Sequence, residues 1–254
     1  MLLVLRTFPF LVGLVMALGA MALFWFPAQI IWVIGVALVL LFLLLARLIG
    51  WSFNKLDFWL FLSPAFFLAV AAFFLLLFLE GSGMKILVIT LATFLIWLFA
   101  ENLFAFLHLP RAYQVNALEH LSLVVNVVSI YFFSTALFAT RLFLSAPLWL
   151  LVPIFAVVTF VLAVSTFWIC KTEKERLLPN ALGGTLLATE LFVVLTLLPG
   201  GFFPNAALLT LFFYLFLGIV RAKLLNKLNK SILKRYLLTV ALLTLIIIFT
   251  ARWT

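Results

Sequence analysis

The stretch AENLFAFLHLPRAYQVNALEHLSLVVN, residues 100–126, holds two glutamates (Glu101 and Glu119), both histidines of the chain (His108 and His120) and Arg111. A carboxyl beside an imidazole can act as a general acid–base pair, and a guanidinium can hold a carboxylate or another anion. Glu101 and His108 are seven residues apart, so on a helix they share a face. Glu119, Ser122, Asn126 and Ser129 fall on one arc of a following helix. Pro110 ends the first helix, and Arg111 sits in the short connector. The spacing therefore predicts one polar cavity lined by Glu101, His108, Arg111 and Glu119, with Asn126 at its floor. His120 lies about 100° from the Glu119 stripe and fits this set least well.

Several chemistries are missing. Asp57 is the only aspartate, which excludes an aspartate dyad. There is no HExxH and no glycine-rich phosphate loop. No adjacent glutamate pair precedes an arginine. The two histidines match no standard ligand spacing, so no metal and no cofactor are expected.

The elements that carry these residues follow from composition. The chain has 254 residues, of which 69% are hydrophobic and 9% charged, with a mean hydropathy of +1.41. Soluble domains keep roughly 25% charged residues, so the solvent for this surface must be lipid. Barrel strands alternate in polarity, whereas the apolar runs here are continuous. The fold class is all-α: a polytopic helical integral membrane protein, read as a single transmembrane domain over 1–254.

Nine spans can be drawn, at about 8–25, 28–46, 58–79, 86–107, 118–140, 147–169, 181–199, 203–220 and 236–251, each near the ~20 residues that cross the hydrocarbon. The N-terminal run continues past Ala22 into Phe24, Trp25 and Phe26, and is read as an uncleaved first span rather than a signal peptide. Of the 16 Lys and Arg, only Lys85, Arg141 and Arg252 fall on one side of this scheme, and the other thirteen fall on the N-terminal side. Short cytoplasmic loops carry the positive excess, which places the N-terminus in the cytoplasm and the C-terminus outside. The net charge of +9 is thus a sign of topology, and no nucleic-acid partner is expected. Seven of the eight tryptophans lie near span ends, as indoles prefer; Trp97 lies well inside a span. Pro64 and Pro153 fall within spans, where kinks are expected. Cys170 has no cysteine partner and is read as a small buried residue.

Two further polar features stand out. Glu190 falls near the middle of the seventh span, where a charge costs about 2.5–3.5 kcal/mol. It is expected either to be protonated, since burial disfavours the charged form, or to face a polar cavity, and to face protein, not lipid. Gly183 shares its face, while Gly184 and Ala188 form a small-xxx-small pair for close helix packing. In RAKLLNKLNKSILKR, residues 221–235, Lys223, Lys227, Lys230 and Lys234 share one face of a wheel, opposite Leu224, Leu225, Leu228 and Ile232. This predicts a basic amphipathic helix lying on anionic inner-leaflet headgroups, with membrane lipids as its partner.

The segment YQVNALEHLSLVVNVVSIYFFSTALFATRLFLSAPLW, Tyr113 to Trp149, resembles an uncharacterised family of bacterial multi-pass membrane proteins with no assigned activity. The resemblance implies a bacterial plasma-membrane setting and assigns no role to any residue. Three readings remain open: a transport or permease-like protein with a cytoplasm-facing polar cavity; a membrane-embedded enzyme acting on a lipid or lipid-linked substrate through Glu/His acid–base residues; and a structural or assembly protein without a small-molecule site. Protein partners are not specified by the sequence.

Overall fold

The computed structural model describes residues 5–110, 113–114, 116–170, 174–225 and 228–251. Among them there is no strand. The helices are α1 (Phe8–Trp25), α2 (Ile30–Ile49), α3 (Leu56–Leu76), α4 (Ser82–His108), α5 (Ala117–Leu144), α6 (Leu148–Ile169), α7 (Lys174–Thr196), α8 (Phe202–Leu224) and α9 (Lys230–Thr250). All nine are long and apolar enough to cross a membrane. They match the nine spans drawn from hydropathy, one for one.

The main boundary difference is in α7, which starts at Lys174 instead of near 181. Pro179 does not prevent this. The first four N–H groups of a helix have no internal partner, so a proline six residues in removes only one bond. Pro64 lies inside α3 and Pro153 inside α6. Pro64 cannot donate to the carbonyl of Leu60, and the Ser63 hydroxyl donates to that carbonyl instead at 3.2 Å. A neighbouring side chain thus occupies the acceptor that the proline leaves open.

The chain divides into two compact units, residues 1–129 and 130–254. The division falls inside α5. In the first unit α1 packs on α2 and α4, and α3 packs on the same two helices. Gly13 and Gly19 of α1 allow this. A Cβ at Gly13 would lie 3.0 Å from the Cβ of Trp97, and one at Gly19 would lie 2.7 Å from the Cβ of Ala37. Trp97, the one tryptophan placed mid-span, is therefore seated against the α1 backbone.

In the second unit α6 packs on α7, α7 on α8, and α8 on α9. Gly184 and Ala188 are both buried on α7, as the small-residue spacing predicts. A Cβ at Gly184 would reach 2.1 Å from the Phe216 ring of α8. The helix next to the second unit's core is held by aromatic packing: Phe192 of α7 stacks on Phe155 of α6, with centroids 4.7 Å apart, and meets Phe138 of α5 at 4.8 Å. By contrast α9 buries none of its residues; Tyr236 meets Tyr214 of α8 at 5.6 Å. Cys170 is buried and forms no disulfide.

The described residues of the basic stretch 221–235 fall at the end of α8 and the start of α9. Lys223 lies in the last turn of α8, Lys230 is the first residue of α9, Lys234 follows four residues on, and Lys227 lies outside the described residues. Asparagine side chains compete for backbone hydrogen bonds and favour helix boundaries. Asn229 stands at the start of α9 in an extended conformation, φ −124° and ψ 157°.

Candidate functional site

The corner between α4 and α5 belongs to the first unit. α4 runs to His108 and stops at Leu109, whose N–H reaches the Ala105 carbonyl. Pro110 follows, and the residue before a proline is pushed out of helical geometry. Asn116 adopts φ 65°, a left-handed conformation that asparagine tolerates better than most residues. Its carbonyl accepts the first helical bond of α5, from the N–H of His120 at 3.2 Å.

Tyr113 ties the two helices together. Its ring sits edge-on to Phe106 of α4, with centroids 5.2 Å apart. Its hydroxyl accepts the Leu118 N–H at 2.9 Å, satisfying one of the first-turn donors of α5 that has no partner in the helix. Phe106 in turn packs on Phe61 of α3, 5.7 Å away. Sequence reasoning missed Tyr113. The signal was available, since a tyrosine in a polar connector offers both an apolar ring and a hydrogen-bonding hydroxyl.

Glu101 and His108 are both half-buried on α4. The imidazole of His108 stacks on Phe104, with centroids 5.1 Å apart and planes at 19°. Its Nδ1 is buried and has no hydrogen-bond partner among the described residues. On α5, Glu119 is half-buried, while Ser122, Asn126 and Ser129 are buried. Asn126 Nδ2 donates to Ser122 Oγ at 3.5 Å, and Ser129 donates to the Val125 carbonyl at 2.7 Å. The polar arc read from the sequence is thus turned inward, and Asn126 is its deepest amide. His120 is exposed, in keeping with its position off the stripe. Arg111 lies outside the described residues.

Glu190 is placed differently from the expectation that it faces protein. It is exposed on α7, and among the described residues its carboxyl makes no hydrogen bond or ion pair. The reason is visible on the helical wheel. Gly184, Ala188, Phe192 and Leu195 are buried on one side of α7, and Leu186, Leu187, Glu190 and Val194 are exposed on the other. The small and aromatic residues take the packed face, so the carboxyl is turned away from it.

The fold defines the class, an all-α, multi-pass integral membrane protein. No family model matches the chain, and neither a curated protein nor a solved structure matches it.

Proposed function

We propose that the protein is a permease-like component of a bacterial plasma membrane, with the α4–α5 corner forming a polar cavity open to the cytoplasm. One observation carries this reading. The Nδ1 of His108 is buried without a partner among the described residues, in a class of groups that is nearly always satisfied. A polar atom held in that state suits a ligand or water that comes and goes. Glu101 shares its helix face, Glu119 lies in the first turn of the next helix and Asn126 seven residues further along it; Arg111 would add the cation. Lys223, Lys230 and Lys234 would lie against anionic headgroups of the inner leaflet.

Orientation is tested first. Reporter fusions after Arg176 and after Arg235 are expected to be cytoplasmic, and a fusion after Thr254 external. A cytoplasmic C-terminus would overturn the orientation.

The cavity is tested with single cysteines. The unmodified protein is expected to resist membrane-impermeant thiol reagents, because Cys170 is buried. Cysteines replacing the half-buried Glu101, His108 and Glu119 are expected to react from the cytoplasmic side, with a cysteine at the exposed Gln114 as positive control. A permease also exposes its site to the far side, so His108→Cys is expected to react from outside as well, more slowly. Reaction from the cytoplasm alone would remove the permease reading and leave a one-sided binding site or enzyme. No reaction at any of the three would remove the cavity.

A further inference from the structure

A cavity lies at the Leu144 end of α5, entirely within the second unit. It has a volume of about 360 Å³. Arg141 and Phe138 of α5, Ser145 of the following turn, Thr196 at the end of α7, Gly200 of the α7–α8 turn and Asn205 of α8 contribute to its wall.

Its polar groups are not matched to one another. The Arg141 guanidinium is exposed and donates from Nη1 to the Ala146 carbonyl at 2.8 Å. That bond fixes the side chain and leaves its other N–H groups available. No acid lines the cavity. The acids among the described residues of this unit are Glu175, in the first turn of α7, and Glu190, on its exposed face. Arg141 therefore has no carboxylate partner there.

Asn205 is 4% exposed. Its Nδ2 donates to the carbonyls of Leu195 at 3.0 Å and Gly200 at 3.3 Å. Two carbonyl acceptors fix which end of the amide faces them, so the atom left over is the acceptor Oδ1. That oxygen is buried and has no donor among the described residues. The start of α8 adds the positive end of a helix of 23 residues; Pro204 has no N–H and the Asn205 N–H is bonded to the Gly201 carbonyl, so the Phe202 and Phe203 N–H groups are the first-turn donors that favour an anion.

We propose that this cavity binds a phosphate- or carboxylate-bearing molecule that also carries a hydroxyl or amine. The anion is held by Arg141 and the α8 N-terminus, and the hydroxyl or amine donates toward Asn205 Oδ1. Glycerol phosphate is the simplest molecule of this kind. It occurs both as a free solute and as the headgroup of an anionic lipid, and the hydrophobic wall at Phe138 and Leu142 is compatible with either. The site is separate from the α4–α5 corner, and its occupancy does not depend on whether anything crosses the membrane.

The test uses the full chain, purified in a neutral detergent or in phosphatidylcholine nanodiscs. One arm measures equilibrium binding of radiolabelled glycerol 3-phosphate. The other counts retained phosphatidylglycerol by native mass spectrometry against phosphatidylcholine. Saturable binding is expected in at least one arm, and Arg141→Ala is expected to weaken it tenfold or more. Arg141→Lys should recover part of the loss. Lys85→Ala, which removes a cation of the other unit, should change nothing. Binding of glycerol 3-phosphate identifies a solute site, and binding of phosphatidylglycerol alone identifies a headgroup site. Absence of binding in both arms, or binding that Arg141→Ala leaves unchanged while the variant elutes and melts like the parent, would overturn the proposal.

Discussion

Phe192→Ala is expected to destabilise the protein by about 3 kcal/mol. Phe192 is fully buried and its ring joins those of Phe155 and Phe138, so three helices of the second unit meet at one side chain. In a water-soluble core, Phe→Ala costs about 3–5 kcal/mol, the sum of a transfer and a cavity contribution. In a bilayer the transfer part shrinks, because lipid tails are as apolar as the side chain. The cavity and the lost ring contacts remain, which places the expected loss at the lower end of that range. Unfolding in a graded SDS–detergent mixture measures it. Phe192→Leu refills most of the volume and is expected to lose less than half as much. A loss below about 1 kcal/mol for the alanine variant would show that the three rings do not hold the unit together, since the smallest Phe→Ala cost in a packed core is well above it.

Glu190→Leu, two residues away on the same helix, is expected to act with the opposite sign. Glu190 is exposed on a helix that spans the membrane, and no group among the described residues meets its carboxyl. Removing a charged side chain from such a position returns up to about 2.5–3.5 kcal/mol on insertion scales, less if the side chain reaches toward the interface. Both the inserted fraction and the SDS midpoint should rise. Glu190→Gln should fall between the parent and the leucine variant, since it replaces the carboxyl but keeps a polar amide in the lipid. If leucine instead lowers stability by more than about 1 kcal/mol, the exposed face of α7 is covered in the membrane by something that bonds the carboxyl, because a lipid-exposed acid has nothing to lose.

These two residues also show how much could be read from the sequence. The nine helices were legible because lipid-spanning runs need only length and hydropathy. The inward turn of Ser122, Asn126 and Ser129 was legible because polar residues on a mostly apolar helix mark its packed face. That rule misled at Glu190. The residues that choose the packed face of α7 are Gly184, Ala188 and Phe192, spaced by four. Gly184 and Ala188 were recognisable as a packing pair, and the wheel puts them opposite Glu190. Close packing of small residues outweighed the polarity rule there.

The basic stretch shows a different limit of the wheel. A wheel assumes an unbroken helix, and Asn229 begins a new one. The division of the chain was not legible at all. Unit boundaries are sought in polar, flexible linkers, and Ser129–Ile130 lies in the middle of an apolar helix. The hydrogen bonds of Tyr113 and Asn205 were equally hidden, because they depend on where a turn brings a side chain and not on its spacing.

The placement of that division has a consequence for modularity. The two halves of this chain overlap in one helix, α5, from Ala117 to Leu144. A gene cut between residues 129 and 130 would leave each half with a fragment of about 13–15 residues, shorter than the ~20 a bilayer requires. Functional pieces for co-expression must instead be separated in the turns on either side of α5, near Gln114 or near Ala146, and one piece must carry the helix whole. Neither half can be exchanged with another protein as a cassette unless α5 travels with it.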